Sequence, residues 1–217
     1  KYNFEKINFL LNLNINVFSF KDVSFVNNKT KFYSKNLKIT QSKKDFYFEG
    51  EIENTNAALS KTLLNLVKLK FKNLDFKSIS FDSKNIFSFN LNNNFKLKNL
   101  IIESEIMITD AQYHKNDLFK KYFPDIGSIL YLKDHKINAT YKKDNLYIKG
   151  IGNVKLQNEL NKIEYLINNK DGKLSIVSDA NINKLNINSH KFLKSLFPLN
   201  TKKIYIKDHK VNIEYKN

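Results

Sequence analysis

The sequence contains no cysteine, no tryptophan and no arginine, and it has only two prolines and five glycines among its 217 residues. Without cysteine the chain has no disulfide, no thiolate nucleophile and no cysteine-based metal site. No glycine-rich phosphate loop is present, and no serine lies in a nucleophile-elbow motif. We therefore expect a non-enzymatic protein that uses no cofactor.

The positive charge comes entirely from lysine, and the formal net charge is +16. Nucleic-acid binders use the planar guanidinium of arginine for bidentate contacts to bases and phosphates, so its absence argues against a nucleic-acid partner. An all-lysine surface can still attract anionic lipid or any other polyanion, with less specificity. Short lysine pairs fall mostly near predicted turns; solvated edges that resist aggregation are the favoured interpretation, and attraction to anionic headgroups is the alternative. The pairs are Lys43-Lys44, Lys120-Lys121, Lys142-Lys143 and Lys202-Lys203.

Long apolar runs are also missing, and no stretch approaches the roughly 20 residues of a membrane-spanning helix. The content of hydrophobic residues, 41%, is nevertheless enough to bury a core and argues against disorder. The chain begins at Lys1 rather than at methionine and stops directly after a strongly patterned segment. We expect residues 1–217 to be a single excerpt of a longer repeat protein.

Apolar residues recur mainly at every second position, which is typical of strands with one apolar and one solvent-exposed face. Asn-rich or Asp-rich turn signals separate the alternating runs at Asn27–Lys29, Asn92–Asn94, Lys143–Asn145 and Asn168–Lys173. Short turns between consecutive strands indicate an antiparallel meander. The predicted fold class is mostly β: an extended, twisted antiparallel sheet with a few short helices. Those helices are expected within 57–69, capped by Asn56, and over 116–122 and 189–196.

An internal repeat relates residues 115–150 to residues 189–217. Phe123-Pro124 recurs as Phe197-Pro198, and Tyr131–Asn138 recurs without gaps as Tyr205–Asn212. Repeats of this kind indicate a stacked, extendable architecture. We predict that 129–142 and 203–216 share one strand-turn-strand shape, with Asp134–Lys136 and Asp208–Lys210 forming the two turns.

The histidines are His114, His135, His190 and His209. A zinc site needs converging ligands, and His135 and His209 occupy the same position in separate copies of the repeat. We therefore interpret His135 and His209 as turn residues, one in each copy, and predict no metal site. The aspartates are scattered, so nothing selects a catalytic carboxylate pair.

The apolar side of the predicted sheet must be covered. A second sheet could cover it, as in a sandwich; an uncovered face would be a large binding surface suited to acyl chains. Both alternatives stay open on pattern alone. If the face is a groove, its lining comprises Leu11, Leu13, Ile15, Val17, Phe87, Phe89, Leu91, Ile137, Tyr141, Leu146, Ile148, Ile163, Tyr165, Ile167, Leu174 and Ile176.

Three segments carry a family resemblance: Asp45–Ile52, the Tyr122-Phe123-Pro124 break, and Leu146–Gly150. With their helix, Phe-Pro, strand order they resemble the AsmA-like superfamily of bacterial envelope proteins, including its TamB-type and YhdP-type branches. The resemblance implies a repeating β-groove that conducts phospholipid between the inner and outer membranes. It further implies a periplasmic location, with anchoring to the inner membrane through a segment outside residues 1–217. The alternative function is a structural or adhesive β-repeat protein with a closed sandwich core.

Overall fold

A computed structural model describes residues 4–27, 29–58, 76–114, 124–126, 129–188, 194 and 203–216. Its strands form one antiparallel sheet in which every strand lies beside its neighbours in sequence, so the predicted fold class is confirmed. The sheet is open, because the first and last strands are its two edges. The strands are β1 Phe4–Asn14, β2 Val17–Asn27, β3 Thr30–Gln41, β4 Asp45–Ala58, β5 Phe76–Asn92, β6 Leu97–His114, β7 Ile129–Lys142, β8 Asn145–Leu156, β9 Glu159–Lys170, β10 Lys173–Asn188 and β11 Lys203–Lys216.

Tight turns connect most of these strands, at the places that the Asn-rich and Asp-rich signals predict. Lys143-Asp144 joins β7 to β8, and Asp171-Gly172 joins β9 to β10; all four residues have positive φ. Two-residue turns of this kind match the right-handed twist of the flanking strands. The predicted meander follows directly from these short connections.

The side chains of every strand alternate between an apolar face and a polar face. Directly paired residues point to the same side of a sheet, so the register identifies each face. Leu13 pairs with Phe18, and Phe48 pairs with Phe89. Farther along the sheet Ile102 pairs with Tyr141, Ile148 with Ile167, and Ile176 with Tyr215. One apolar face therefore runs from β1 to β11.

Many strands carry an irregularity near their middle, where one residue takes the left-handed conformation. Asp22 in β2, Asn56 in β4, Asp134 in β7 and Asp208 in β11 all have φ close to +50°. At Asp22, Asn56 and Asp134 the register with a neighbouring strand shifts, so these are bulges, which bend a strand and increase its local twist; the register beside Asp208 is unshifted. In β4 the backbone N–H of Asn56 is satisfied by Asp82, whose carboxylate accepts it at 2.6 Å.

The predicted turns at Asp134–Lys136 and Asp208–Lys210 are therefore wrong. Both stretches lie inside uninterrupted 14-residue strands, β7 and β11. The aspartates take the positive φ typical of a turn residue, at +52° and +50°, but the chain continues in the same direction. A short polar side chain tolerates that conformation in a bulge as well as in a turn.

The buried core cluster of the apolar face lies at the end of the sheet where β8 meets β9. It comprises Ile126, Val154, Leu156, Ala180, Ile182, Leu185 and Ile187. Ile126 comes from a single 3-10 turn, Pro124–Ile126. The carboxylate of Asp125 accepts hydrogen bonds from the backbone and side-chain N–H groups of Asn188, which fixes this turn on β10.

The helix predicted within 57–69 is wrong at its start, because Asn56, Ala57 and Ala58 belong to β4. The rest of that segment lies outside the described residues. The helices predicted over 116–122 and 189–196 also fall there, apart from Lys194, which is helical.

Candidate functional site: an apolar face divided by a polar belt

The apolar face has an open half, defined here as the part between mid-strand and the turns that follow β1, β3, β5, β7 and β9. On the inner strands most of its side chains are half-buried by their neighbours, whereas Leu11 and Leu13 on the edge strand β1 are exposed; the buried core cluster lies in the other half. Aromatic rings form its centre: Phe48 and Phe89 stack with ring centroids 4.7 Å apart, and Phe87 lies 6.0 Å from Phe89. Stacked pairs of this kind add to the stability that area burial provides.

The predicted groove-lining residues lie on this face, with two exceptions. Ile15 lies in the turn between β1 and β2, and Val17 begins β2 with its side chain on the opposite face from Phe18. Both assignments were wrong because the alternation of Leu11 and Leu13 continues through the turn without a break. The others lie on the apolar face: Leu11, Leu13, Phe87, Phe89, Leu91, Ile137, Tyr141, Leu146, Ile148, Ile163, Tyr165, Ile167, Leu174 and Ile176.

A polar belt crosses the apolar face where the open half ends. We define it as two hydrogen-bonded groups on the same face as the apolar residues: Asn54, Ser83, Asn85 and Ser104 on β4 to β6, and His135 with Tyr165 on β7 and β9. The Ser83 hydroxyl donates to the Asn54 side-chain oxygen, and the Asn85 amide donates to Ser83 at 2.8 Å. Ser104 donates to the Asn85 side-chain oxygen at 2.8 Å. Because these groups satisfy one another, the belt can persist among apolar neighbours.

The second group of the belt, His135 and Tyr165, lies on two glycines of β8. His135 is only 2% exposed, and Tyr165 hydrogen-bonds to its Nδ1 at 3.3 Å. A Cβ atom added at Gly152 would collide with the His135 ring, and one added at Gly150 would collide with the Tyr165 ring. The two rings therefore occupy space that only glycine leaves free above β8.

The hydrogen bonds of His135 define its tautomer. Its Nε2 lies 3.0 Å from the carbonyl oxygen of Asn153, which can only accept, so Nε2 carries the proton. Nδ1 then accepts from the Tyr165 hydroxyl. Burial lowers the pKa of His135 below its ordinary 6.5, against the opposing effects of the Asn153 carbonyl and Asp134. Burial likewise raises the pKa of Tyr165 to about 12, so its hydroxyl keeps its proton.

Acidification should destabilise the protein through His135. Because folding lowers the pKa of this base, the unfolded chain takes up the proton at a higher pH than the folded protein does. The contribution of neutral His135 to the free energy of unfolding is therefore fully present above about pH 6.5 and declines as the pH falls through that value. The decline ends below the folded-state pKa. We expect a lower melting temperature at about pH 5.5 than at about pH 7.5. His135→Gln should flatten this dependence, and the control His209→Gln should retain it; equal slopes in the two variants would contradict the assignment.

His209 occupies the place of His135 in the second copy, yet it is exposed. It lies on the edge strand β11, and its Nδ1 contacts the carbonyl of Lys207 at 2.7 Å. The interpretation of both histidines as turn residues was wrong, since each lies in a strand. Over the described ranges no three histidine or carboxylate side chains come together as a metal site.

The polar face carries charged residues that pair across strands. Lys38 meets Glu49 at 3.0 Å, and Lys84 meets Glu51 and Glu53 at 3.5 and 3.2 Å. A shallow hollow of about 670 Å³ lies beside these pairs, with Tyr47, Ile86 and Glu103 also in its wall. Since Lys38, Glu49 and Glu51 in its wall are already paired, we place the candidate site on the apolar face.

Comparison with known proteins returned no relative. No protein-family model matches the chain, and no curated protein and no solved structure matches it. In the part of the chain that the structure describes, no helix is both long and apolar enough to cross a membrane. The site must therefore be interpreted from its own chemistry.

Sequence reasoning missed the polar belt. Asn54, Ser83, Asn85 and Ser104 resemble the many other Asn and Ser residues of the chain, and only register shows that they share the apolar face. The Gly150-Ile151-Gly152 spacing could have indicated part of the belt. Two glycines two residues apart leave space on one side of a strand for large side chains from its neighbours.

Proposed function

We propose that the open half of the apolar face binds the acyl chains of phospholipids, and that the protein is a non-enzymatic lipid-binding or lipid-conducting segment. The observation that carries the proposal is a continuous apolar face on a sheet that is not closed. Among the described residues the open half has no second layer, and an apolar surface of this extent is unfavourable in water and typical of an interaction site. Acyl chains suit it because they need no directional contacts and can lie along neighbouring strands.

The dimensions of the open half support this ligand class. Leu91 lies six residues beyond Asn85 on β5, and the distance between them is about 20 Å at roughly 3.3 Å per residue. The hydrocarbon layer of one membrane leaflet is about 15 Å thick, half of the bilayer core. An acyl chain with its methyl end near the belt would therefore place its headgroup near the turns.

The belt gives such a site a defined end. Its amide and hydroxyl groups are satisfied among themselves, so a methyl terminus gains nothing by displacing them. Beyond the belt the face is filled by the core cluster. We therefore propose a site with one end at the turns and the other at the belt.

A place in the bacterial envelope is the second part of the proposal. It rests on the resemblance to AsmA-like proteins, which implies phospholipid transport across the periplasm between the two membranes. An extended open sheet accords with the repeating β-groove of that family. Anchoring to the inner membrane, through a segment outside residues 1–217, is a property of the whole protein and forms part of the same hypothesis.

The direct test is to purify the chain from a bacterial host without detergent and measure bound lipid by native mass spectrometry. We expect phospholipid to accompany the folded protein and to exchange with added phospholipid vesicles. A preparation that carries no lipid and takes none from vesicles would overturn the proposal and favour a structural or adhesive role. A non-exchangeable lipid would also count against a conducting groove.

A further inference from the structure

The turns at one end of the sheet form a surface that we call the hairpin rim: residues 14–17, 42–45, 92–97, 142–145 and 170–173. An antiparallel meander places alternate turns at the same end, so these five lie side by side. The Gln41 backbone N–H donates to the Asn16 carbonyl at 2.7 Å, and the Asp171 N–H donates to the Asn145 side chain at 3.3 Å. These contacts tie neighbouring turns to one another.

Two turns of the rim present large apolar side chains to solvent. Ile15 is 86% exposed and Phe95 is 82% exposed. Phe95 also has φ of +55°, a conformation that bulky side chains rarely adopt, and its exposed position contributes nothing to the core. Apolar residues at turn tips cost the free protein solubility, and they are suited to insertion between lipid headgroups.

The same rim is basic. It contains seven lysines, Lys43, Lys44, Lys96, Lys142, Lys143, Lys170 and Lys173, and three aspartates, Asp45, Asp144 and Asp171. All seven lysines are exposed, and within the described residues none has a carboxylate at ion-pair distance. At the opposite end, the described turns between β2 and β3 and between β8 and β9 contribute only Lys29. Among the described turns, the lysines are therefore concentrated where Ile15 and Phe95 protrude.

We propose that the hairpin rim docks on an anionic phospholipid surface, with Ile15 and Phe95 inserted at headgroup level and the lysines against the phosphates. Lysine attraction alone would fit any polyanion, but two exposed apolar tips fit a lipid surface better than a nucleic acid. Docking in this orientation brings the open half of the apolar face against the membrane. The inference goes beyond acyl-chain binding, because a protein can dock without holding lipid.

The experiment is flotation of the chain with phosphatidylcholine vesicles, with and without phosphatidylglycerol. We expect binding to the anionic vesicles, weakened by salt, and little binding to phosphatidylcholine alone. Lys43→Gln/Lys170→Gln should weaken anionic binding roughly thirtyfold. Ile15→Ser/Phe95→Ser should weaken it about tenfold or more.

Matched controls separate docking from nonspecific charge and from unfolding. Lys149→Gln/Lys155→Gln removes two exposed lysines of the polar face, and Ile86→Ser/Met107→Ser removes two exposed apolar side chains there. Both controls should float like the unmodified chain, and all variants should keep the melting curve. Equal losses in rim and control variants, unchanged flotation of the rim variants, or equal affinity for a nucleic acid would overturn the inference. Phe89→Asp, which addresses the acyl-chain site, should leave flotation unchanged.

Discussion

Phe89→Asp should abolish lipid retention while the protein stays folded. Phe89 stacks on Phe48 at the centre of the open half, so a carboxylate there would have to be buried unpaired beneath an acyl chain. In the empty protein the same carboxylate can reach water, because Phe89 is only half-buried. We expect bound lipid to disappear from native mass spectra and the free energy of unfolding to fall by about 2 kcal/mol, from the lost ring packing.

The neighbouring residue provides the control for this experiment. Asn90→Asp adds the same charge one residue away on the polar face, opposite Tyr47 and Lys98, and should leave both lipid and stability unchanged. Ile148→Asp tests the same face on β8 and should behave like Phe89→Asp. If both apolar-face variants unfold, the face is a closed core, as in the sandwich alternative. If Phe89→Asp keeps its lipid, acyl chains do not lie on this face.

Gly152→Ala should destabilise the protein by about 3 kcal/mol, a large cost for adding one methyl group. The new Cβ would overlap the His135 ring, which is buried and held by hydrogen bonds on both nitrogens. Overpacking at such a site displaces either the ring or the strand. Urea unfolding of the variant and the parent measures the difference directly.

A double-mutant cycle identifies the cause. In a His135→Ala background the space above β8 is free, so the additional cost of Gly152→Ala should fall below about 1 kcal/mol. Gly172→Ala is the control for a glycine with open space around it: its φ of +79° is strained for alanine and should cost about 1 kcal/mol in either background. The same cost for Gly152→Ala in both backgrounds would show that the His135 contact is not responsible.

The positions of the turns depend on local sequence, and this is why they could be predicted. Asp171-Gly172 favours a tight turn whatever surrounds it, because glycine and aspartate tolerate positive φ. Ile15 shows the limit of pattern reasoning: it extends an alternation that the chain abandons at Asn14. The apolar-polar alternation shows no break at this turn. The pattern therefore predicts one strand over residues 11–17, where the structure has the end of β1, a turn and the start of β2.

Sequence alone determined that the chain is a β meander with one apolar face, because alternation and turn propensity act over a few residues. Only the tertiary structure decided that Asp134 forms a bulge rather than a turn, since the pairing of β7 with β6 and β8 holds the chain extended through it. Pairing also placed Gly152 beneath His135 and joined Asn54 to Ser83 across 29 residues. Such contacts depend on the register between segments that are distant in sequence. Pairing across the whole sheet sets that register, so a short stretch of sequence cannot predict it.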